Sequence, residues 1–177
     1  MSQQAEEQAI KVGVIGAGGR MGRMLIEAVQ DNAQTTLNAA IERQGSSLVG
    51  ADAGEVAAIG RLEVQIVDDL KAVINDIDVL IDFSLPDATE QNMQICAANK
   101  VAMVIGTTGF NEQQEQVLKE ASKQIAIVYA GNYSTGVNLS LKLLAMAAKA
   151  FGNDADVEVI EAHHKHKIDA PSGTAYM

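Results

Sequence analysis

The chain has 177 residues, of which 47% are hydrophobic and 20% charged, and its 13 Lys and Arg against 23 Asp and Glu give a formal charge of −10. That length supports one globular domain plus part of another, and the acidic balance without any long basic run excludes a nucleic-acid surface. No stretch approaches the roughly 18 to 20 apolar residues of a membrane span, and the polar leader MSQQAEEQ has no apolar signal core, so a cytoplasmic protein with no membrane partner is expected.

In chain order, IKVGVIG (10–16) reads as a strand and RMGRMLIEAVQDN (20–32) as a helix. TTLNAAI (35–41) and VQIV (64–67) are further strands, and DDLKAVIND (68–76) reads as a helix. DVLIDFS (78–84) leads into the helix PDATEQNMQICAANK (86–100), with Pro86 in its first turn. VAMVIGTT (101–108) leads into NEQQEQVLKEASKQ (111–124), where Asn111 fits an N-cap followed by a carboxylate, and IAIVYA (125–130) is the last of these strands. Near-continuous apolar runs suit parallel strands covered on both faces, and their alternation with helices predicts an α/β, Rossmann-like doubly wound parallel sheet. Cys96, the only cysteine, sits in QICAANK on what reads as a buried helix face, which suits a core thiol. After Ala130 the pattern changes to a small-residue linker, GNYSTGVN (131–138), then a long helix SLKLLAMAAKAFG and a strand DVEVIEAHH. The expected organisation is a polar tail over 1–9, a dinucleotide-binding domain over 10–131, and a linker with the start of a second domain over 132–177.

GAGGRMG (16–22) lies between the first strand and the first helix. Glycines there let the backbone turn sharply and approach a pyrophosphate, and the helix N-terminus offers amides and a positive dipole end. The usual third glycine of G-x-G-x-x-G would fall where Met21 stands, so the spacing is G-x-x-G-x-x-G or G-x-G-x-x-x-G. Glu42, at the end of the second strand, can accept hydrogen bonds from adenosine ribose hydroxyls, whereas the adjacent Arg43 can bind a 2′-phosphate. The pair suggests tolerance of both NADH and NADPH. Further strand ends, DFS (82–84), GTTG (106–109) and AGNYS (130–134), outline the edge of a ligand crevice, with Asn132 suited to a nicotinamide amide. All three histidines lie in EAHHKHKIDAPSGTAYM (161–177), interleaved with Lys165 and Lys167 in an otherwise acidic chain, which points to a small anionic ligand.

VGVIGAGGRMGR, IERQGSSLVG, IDFSLPDAT, VIGTTGF, AGNYSTGVN and above all EAHHKHKIDAPSGTA resemble the dihydrodipicolinate reductase family, now called 4-hydroxy-tetrahydrodipicolinate reductase, of bacterial lysine and diaminopimelate biosynthesis. The resemblance implies nicotinamide-dependent reduction of a cyclic imine dicarboxylate to tetrahydrodipicolinate, in a homotetramer built by an α+β substrate domain. It implies cofactor contacts at Gly16, Ala17, Gly18, Gly19, Arg20, Met21, Glu42, Arg43, Gly106, Thr107, Thr108, Ala130, Gly131, Asn132 and Tyr133. It implies His163 as the catalytic acid/base, Lys167 as the proton donor, and His164, Gly173 and Thr174 as substrate contacts. Another nicotinamide enzyme with a similar front half, such as a homoserine or semialdehyde dehydrogenase, leaves HHKHK followed by DAPSGT unexplained.

Strand alternation puts His163, Lys165 and Lys167 on one face and His164 and His166 on the other. H-x-H pairs also ligate zinc, but the lysines repel a cation and no cysteine or carboxylate set completes a shell, so no metal is expected. A dicarboxylate fits: cations attract it, and a histidine or lysine can protonate the ring nitrogen as hydride arrives. Ser172, Gly173 and Thr174 would begin a helix whose free amides hold one carboxylate. In the family the second domain continues well past PSGTA. The single turn after Ser172 is therefore expected to fray, DVEVIEAHH to lack sheet partners, and the 177-residue chain to bind cofactor with reductase activity severely reduced or absent. The alternative is a dinucleotide-binding module without catalysis.

Overall fold

The computed structural model describes residues 8–163, 165 and 171–176 and falls into two compact units, 1–129 and 130–177. In the first unit the elements run β1 (Ile10–Ile15), α1 (Arg20–Asp31), β2 (Thr35–Ile41), α2 (Ala53–Val56), β3 (Ile66–Val67), β4 (Val79–Asp82), α3 (Pro86–Asn99), β5 (Ala102–Ile105), α4 (Glu112–Ser122) and β6 (Ile127–Tyr129). All six strands are parallel, in the order β3-β2-β1-β4-β5-β6. The strand order reverses direction between β1 and β4, the place where a doubly wound sheet opens a ligand crevice at its carboxyl edge.

Each strand divides its side chains between two cores, as its two-residue period requires. Val12, Val14, Leu37, Ala40 and Ile66 join Ile26 and Val29 of α1 on one face. Ile41, Leu80, Met103 and Ile105 join Met93, Cys96 and Ala97 of α3 on the other. Helix boundaries follow capping chemistry. Asn111 caps α4 through a reciprocal capping box with Gln114, and Lys100 ends α3 in the left-handed conformation at φ 62°.

Two elements differ from the sequence reading. Residues 68–76 form two separate 3-10 turns, Leu70–Ala72 and Ile74–Asp76, instead of one helix, because Asp69 caps the first turn and β-branched Val73 leaves helical geometry at φ −123°. The short helix α2 was not expected. It exists because Asp52 caps it, accepting from the Gly54, Glu55 and Leu62 amides.

The second unit contains α5 (Thr135–Phe151), a 3-10 turn Gly152–Asp154, and the single turn α6 (Gly173–Tyr176). Ser134 caps α5 at the Val137 amide. No residue of α5 is buried, and Leu139, Leu143, Leu144, Met146 and Phe151 are all exposed. Residues 156–163 of the expected strand DVEVIEAHH are not in a strand, since extended chain without a hydrogen-bonded neighbour forms no ladder.

Candidate functional site

In the first unit the glycine loop crosses the carboxyl end of β1. Gly16 and Ala17 both donate to the Ile41 carbonyl, at 2.8 and 3.1 Å, and Gly19 donates back to Gly16 at 2.9 Å. Gly18 donates to Glu42 Oε1 at 2.8 Å, while Glu42 Oε2 accepts from the Arg43 amide at 3.1 Å. The loop's own amides are therefore satisfied within the turn, whereas Arg20 and Met21, in the first turn of α1, have amides without an intrahelical partner. The N-cap of α1 is Gly19, with no side-chain cap and no acid in the first turn, so the positive end of its dipole is left for an external anion.

Steric contacts show which glycines the turn requires. Gly16 has φ +70° and a Cβ on Gly22 would collide with the Gly16 carbonyl, whereas a Cβ on Gly18 would meet the Leu48 Cδ1 methyl, the movable end of that side chain. Gly19 is less constrained, its nearest contact for a Cβ being 3.2 Å away. The demanding positions are 16 and 22, which both spacings share, so the motif runs one residue longer than the usual fingerprint. The longer spacing still brings α1 onto the loop, because Gly22 rather than residue 21 makes the close approach. Glu42 has a structural task that the sequence did not show, holding the Gly18 amide. Each of its oxygens keeps further acceptor capacity for ribose hydroxyls. Arg43 is exposed beside it.

At the ends of β4 and β5 the two loops interlock. Gly106 donates to the Asp82 carbonyl at 2.9 Å, and a Cβ on Gly106 would collide with the Phe83 ring. Thr107 is buried with its hydroxyl 2.8 Å from that of Thr89, so its side chain faces the core and only its backbone is available to a ligand. Thr108 is half-buried. Asp82, fully buried, accepts from the Ser84 amide and hydroxyl at 2.9 and 2.6 Å and from Asn92 Nδ2 at 2.8 Å. Sequence reasoning missed Thr89 and Asn92. Burial and then the negative charge of Asp82 push the Cys96 thiol up to about 12, in keeping with an inert core cysteine.

In the second unit, Ala130, Gly131 and Tyr133 surround Asn132, whose side chain has internal partners. Its Nδ2 donates to Thr174 Oγ1 at 3.0 Å and its Oδ1 accepts from the Ser134 amide at 2.8 Å. Asn132 thus ties the linker to α6, a use that the nicotinamide reading did not include. Glu161, also missed, accepts from the Ser172 amide at 2.9 Å and meets His163 Nε2 at 2.9 Å. Hydrogen bonds from Ser172 and then from His163 draw the Glu161 carboxyl down to about 2. The Ser172 amide expected to be free for a ligand is therefore occupied by an internal carboxylate. Ser172 is buried and its hydroxyl accepts from the Ala175 amide at 3.2 Å, so the single turn is built on a fixed residue. Gly173 and Thr174 are half-buried, and Lys165 is exposed. His164 and Lys167 lie outside the described residues. Among the described residues no three His, Cys, Asp or Glu side chains are grouped as metal ligands, and no helix is long and apolar enough to cross a membrane.

The strand order, the glycine turn and the acid closing β2 define a doubly wound dinucleotide-binding fold of the Rossmann class. The chain belongs to the dihydrodipicolinate reductase family: residues 10–133 match the family's N-terminal model and residues 136–177 its C-terminal model. It is 88% identical over its whole length to the 4-hydroxy-tetrahydrodipicolinate reductase of Psychrobacter arcticus, and spans 64% of that relative. It is 59% identical over 94% of its length to the enzyme of the same name from Acinetobacter baylyi, spanning 61% of it. Among solved structures it is similar to a dipicolinate-bound dihydrodipicolinate reductase from Paenisporosarcina sp. TG-14, with a TM-score of 0.73 and 31% identity, over 96% of this chain and 63% of that one.

Proposed function

We propose that this chain carries the cofactor-binding domain, residues 10–131, and the first part of the catalytic segment of an NAD(P)H-dependent 4-hydroxy-tetrahydrodipicolinate reductase of the cytoplasm. The observation that carries the proposal is the glycine turn of residues 16–22 braced by Glu42 at the carboxyl edge of β1, beside the switch in strand order. The pyrophosphate would sit at the Arg20 and Met21 amides, the adenosine ribose at Glu42, and a 2′-phosphate at Arg43, which permits both NADPH and NADH. Gly106 to Thr108 would contribute backbone groups to the same edge, and Ala130 to Tyr133 further contacts. When bound, the nicotinamide supplies hydride.

The substrate would be a cyclic dicarboxylate, consistent with the dipicolinate bound to the Paenisporosarcina reductase. His163 and Lys167 would supply protons to the ring nitrogen, and His164, Gly173 and Thr174 would hold a carboxylate. Glu161 would orient His163 through Nε2, leaving Nδ1 as the ring nitrogen for proton transfer. The 177-residue chain by itself would turn over slowly or not at all, because the apolar face of α5 and the side chains of Val157, Val159 and Ile160 are exposed. Assembly into the family homotetramer would need those surfaces covered.

Calorimetry with NADPH and NADH, followed by 2,6-pyridinedicarboxylate and a turnover assay on the same sample, tests both parts. Dinucleotide binding without dicarboxylate binding or turnover is the expected result. Absence of any dinucleotide binding would refute the cofactor reading, and turnover free of contaminating reductase would refute the inactivity.

A further inference from the structure

The buried polar cluster behind the GTTG segment has no partner in the chemistry above, and a buried polar cluster is costly unless every member is satisfied. Asp82 ends β4 with no exposure, and its acceptors are met by neutral donors, Ser84 and Asn92. Thr89, fully buried in α3, stands between the two strand-end loops. Its hydroxyl is 2.8 Å from that of Thr107, 3.4 Å from that of Ser84, and donates to the Leu85 carbonyl at 3.2 Å. With that donation made, the Thr107 hydroxyl donates to Thr89. Thr107 is 2% exposed, and Thr89 is the partner that meets its hydroxyl. One side chain on the helix thus connects the turn after β4 with the loop after β5, and Gly106 joins them again through the Asp82 carbonyl.

We infer that Thr89 is a positioning residue for the cofactor edge: through its hydroxyl it holds the Gly106–Gly109 loop in the conformation that receives a dinucleotide. The inference rests on the reading of that loop as part of the cofactor site. The physical reason is a population effect. Gly106 and Gly109 flank two threonines, and Gly109 has φ +86°, so the segment has alternative conformations open to it once its tether is removed. If the receptive conformation falls from nearly all to about a tenth of the population, the apparent Kd rises about ten-fold, which is about 1.4 kcal/mol.

Thr89→Val keeps the shape and removes the hydroxyl, whereas Thr89→Ser keeps the hydroxyl and removes the methyl. Two readouts on the whole chain separate the possibilities: NADPH affinity by calorimetry, and amide exchange of residues 106–109 by NMR without cofactor, referenced to β1. Thr89→Val should raise the Kd about ten-fold and speed exchange at 106–109 while β1 is unchanged, and Thr89→Ser should stay near the parent in both. Unchanged affinity and unchanged loop exchange in Thr89→Val, with only a lower Tm, would overturn the inference, as would a Thr89→Ser variant that behaves like Thr89→Val. If the parent chain binds neither NADPH nor NADH, the cofactor reading fails on its own, and the exchange data still decide the tether: faster exchange in Thr89→Val alone supports it, and no change overturns it.

Discussion

The two units of the chain differ in how their apolar side chains are used. In the first, strands β1 to β6 carry Val14, Leu80 and Ile105 with no exposure, and α1 and α3 bury Ile26, Met93 and Cys96 completely. In the second, α5 is the longest helix and buries nothing, while Leu144 is 60% and Ile160 92% exposed. The polar contacts of the second unit are nevertheless specific: Asn132 with Thr174, and Glu161 with both Ser172 and His163. A site can thus have its local hydrogen bonds in place without an apolar core behind it, and burial is what stabilises a domain against conformational entropy.

The comparison breaks most sharply at Gly22. In an ordinary helix Gly→Ala is favourable by about 1 kcal/mol, but a Cβ here meets the Gly16 carbonyl oxygen, which has no freedom to move aside. Gly22→Ala should abolish measurable dinucleotide binding in calorimetry and lower the Tm, whereas Gly19→Ala, with 3.2 Å to the same oxygen, should lose much less. Next in size, Ile26→Ala, emptying a fully buried position in the first unit, should cost about 2 to 5 kcal/mol in urea unfolding. The same deletion in the second unit, Leu144→Ala, should cost under about 0.5 kcal/mol, and an equal loss at both positions would erase the contrast.

The Cys96 thiol, raised to about 12, should resist Ellman's reagent at neutral pH and react only on unfolding. The smallest effect is local and acidic. The folded value of Glu161 is depressed from 4.5 to about 2, so its contribution is present above the unfolded value and lost as the pH falls through about 2. The Ser172 amide resonance should hold steady at neutral pH and titrate at the acid end. In Glu161→Gln that titration should vanish.

Much of the sheet is legible because parallel strands covered on both faces read as unbroken apolar runs, and all six fall within the runs at 10–16, 35–41, 64–67, 78–84, 101–108 and 125–130. The segment 68–76 misleads because its apolar spacing suits a helix while Asp69 and Val73 interrupt the backbone. The glycine motif is visible in sequence, but the demand on Gly22 is not, since only the folded turn brings the Gly16 carbonyl against it. Thr89 and Asn92 are invisible for a different reason. Polar residues on a buried helix face read as solvent-facing until Asp82 and Thr107 are brought to them by β4 and β5. Asn132 and Glu161 have ordinary sequence signatures, and their partners lie 42 and 11 residues away.

On the proposed reading the first unit receives a dinucleotide at its glycine edge, while the described residues of the second include no buried apolar cluster. Residue-resolved hydrogen exchange on the 177-residue chain, with and without NADPH, tests it most directly. Strong protection is expected in β1, β4 and β5, with added protection by NADPH at residues 18–23 and 106–109, and fast exchange through α5 in either state. Protection of α5 equal to that of β1, or no response to NADPH at 18–23, would contradict it.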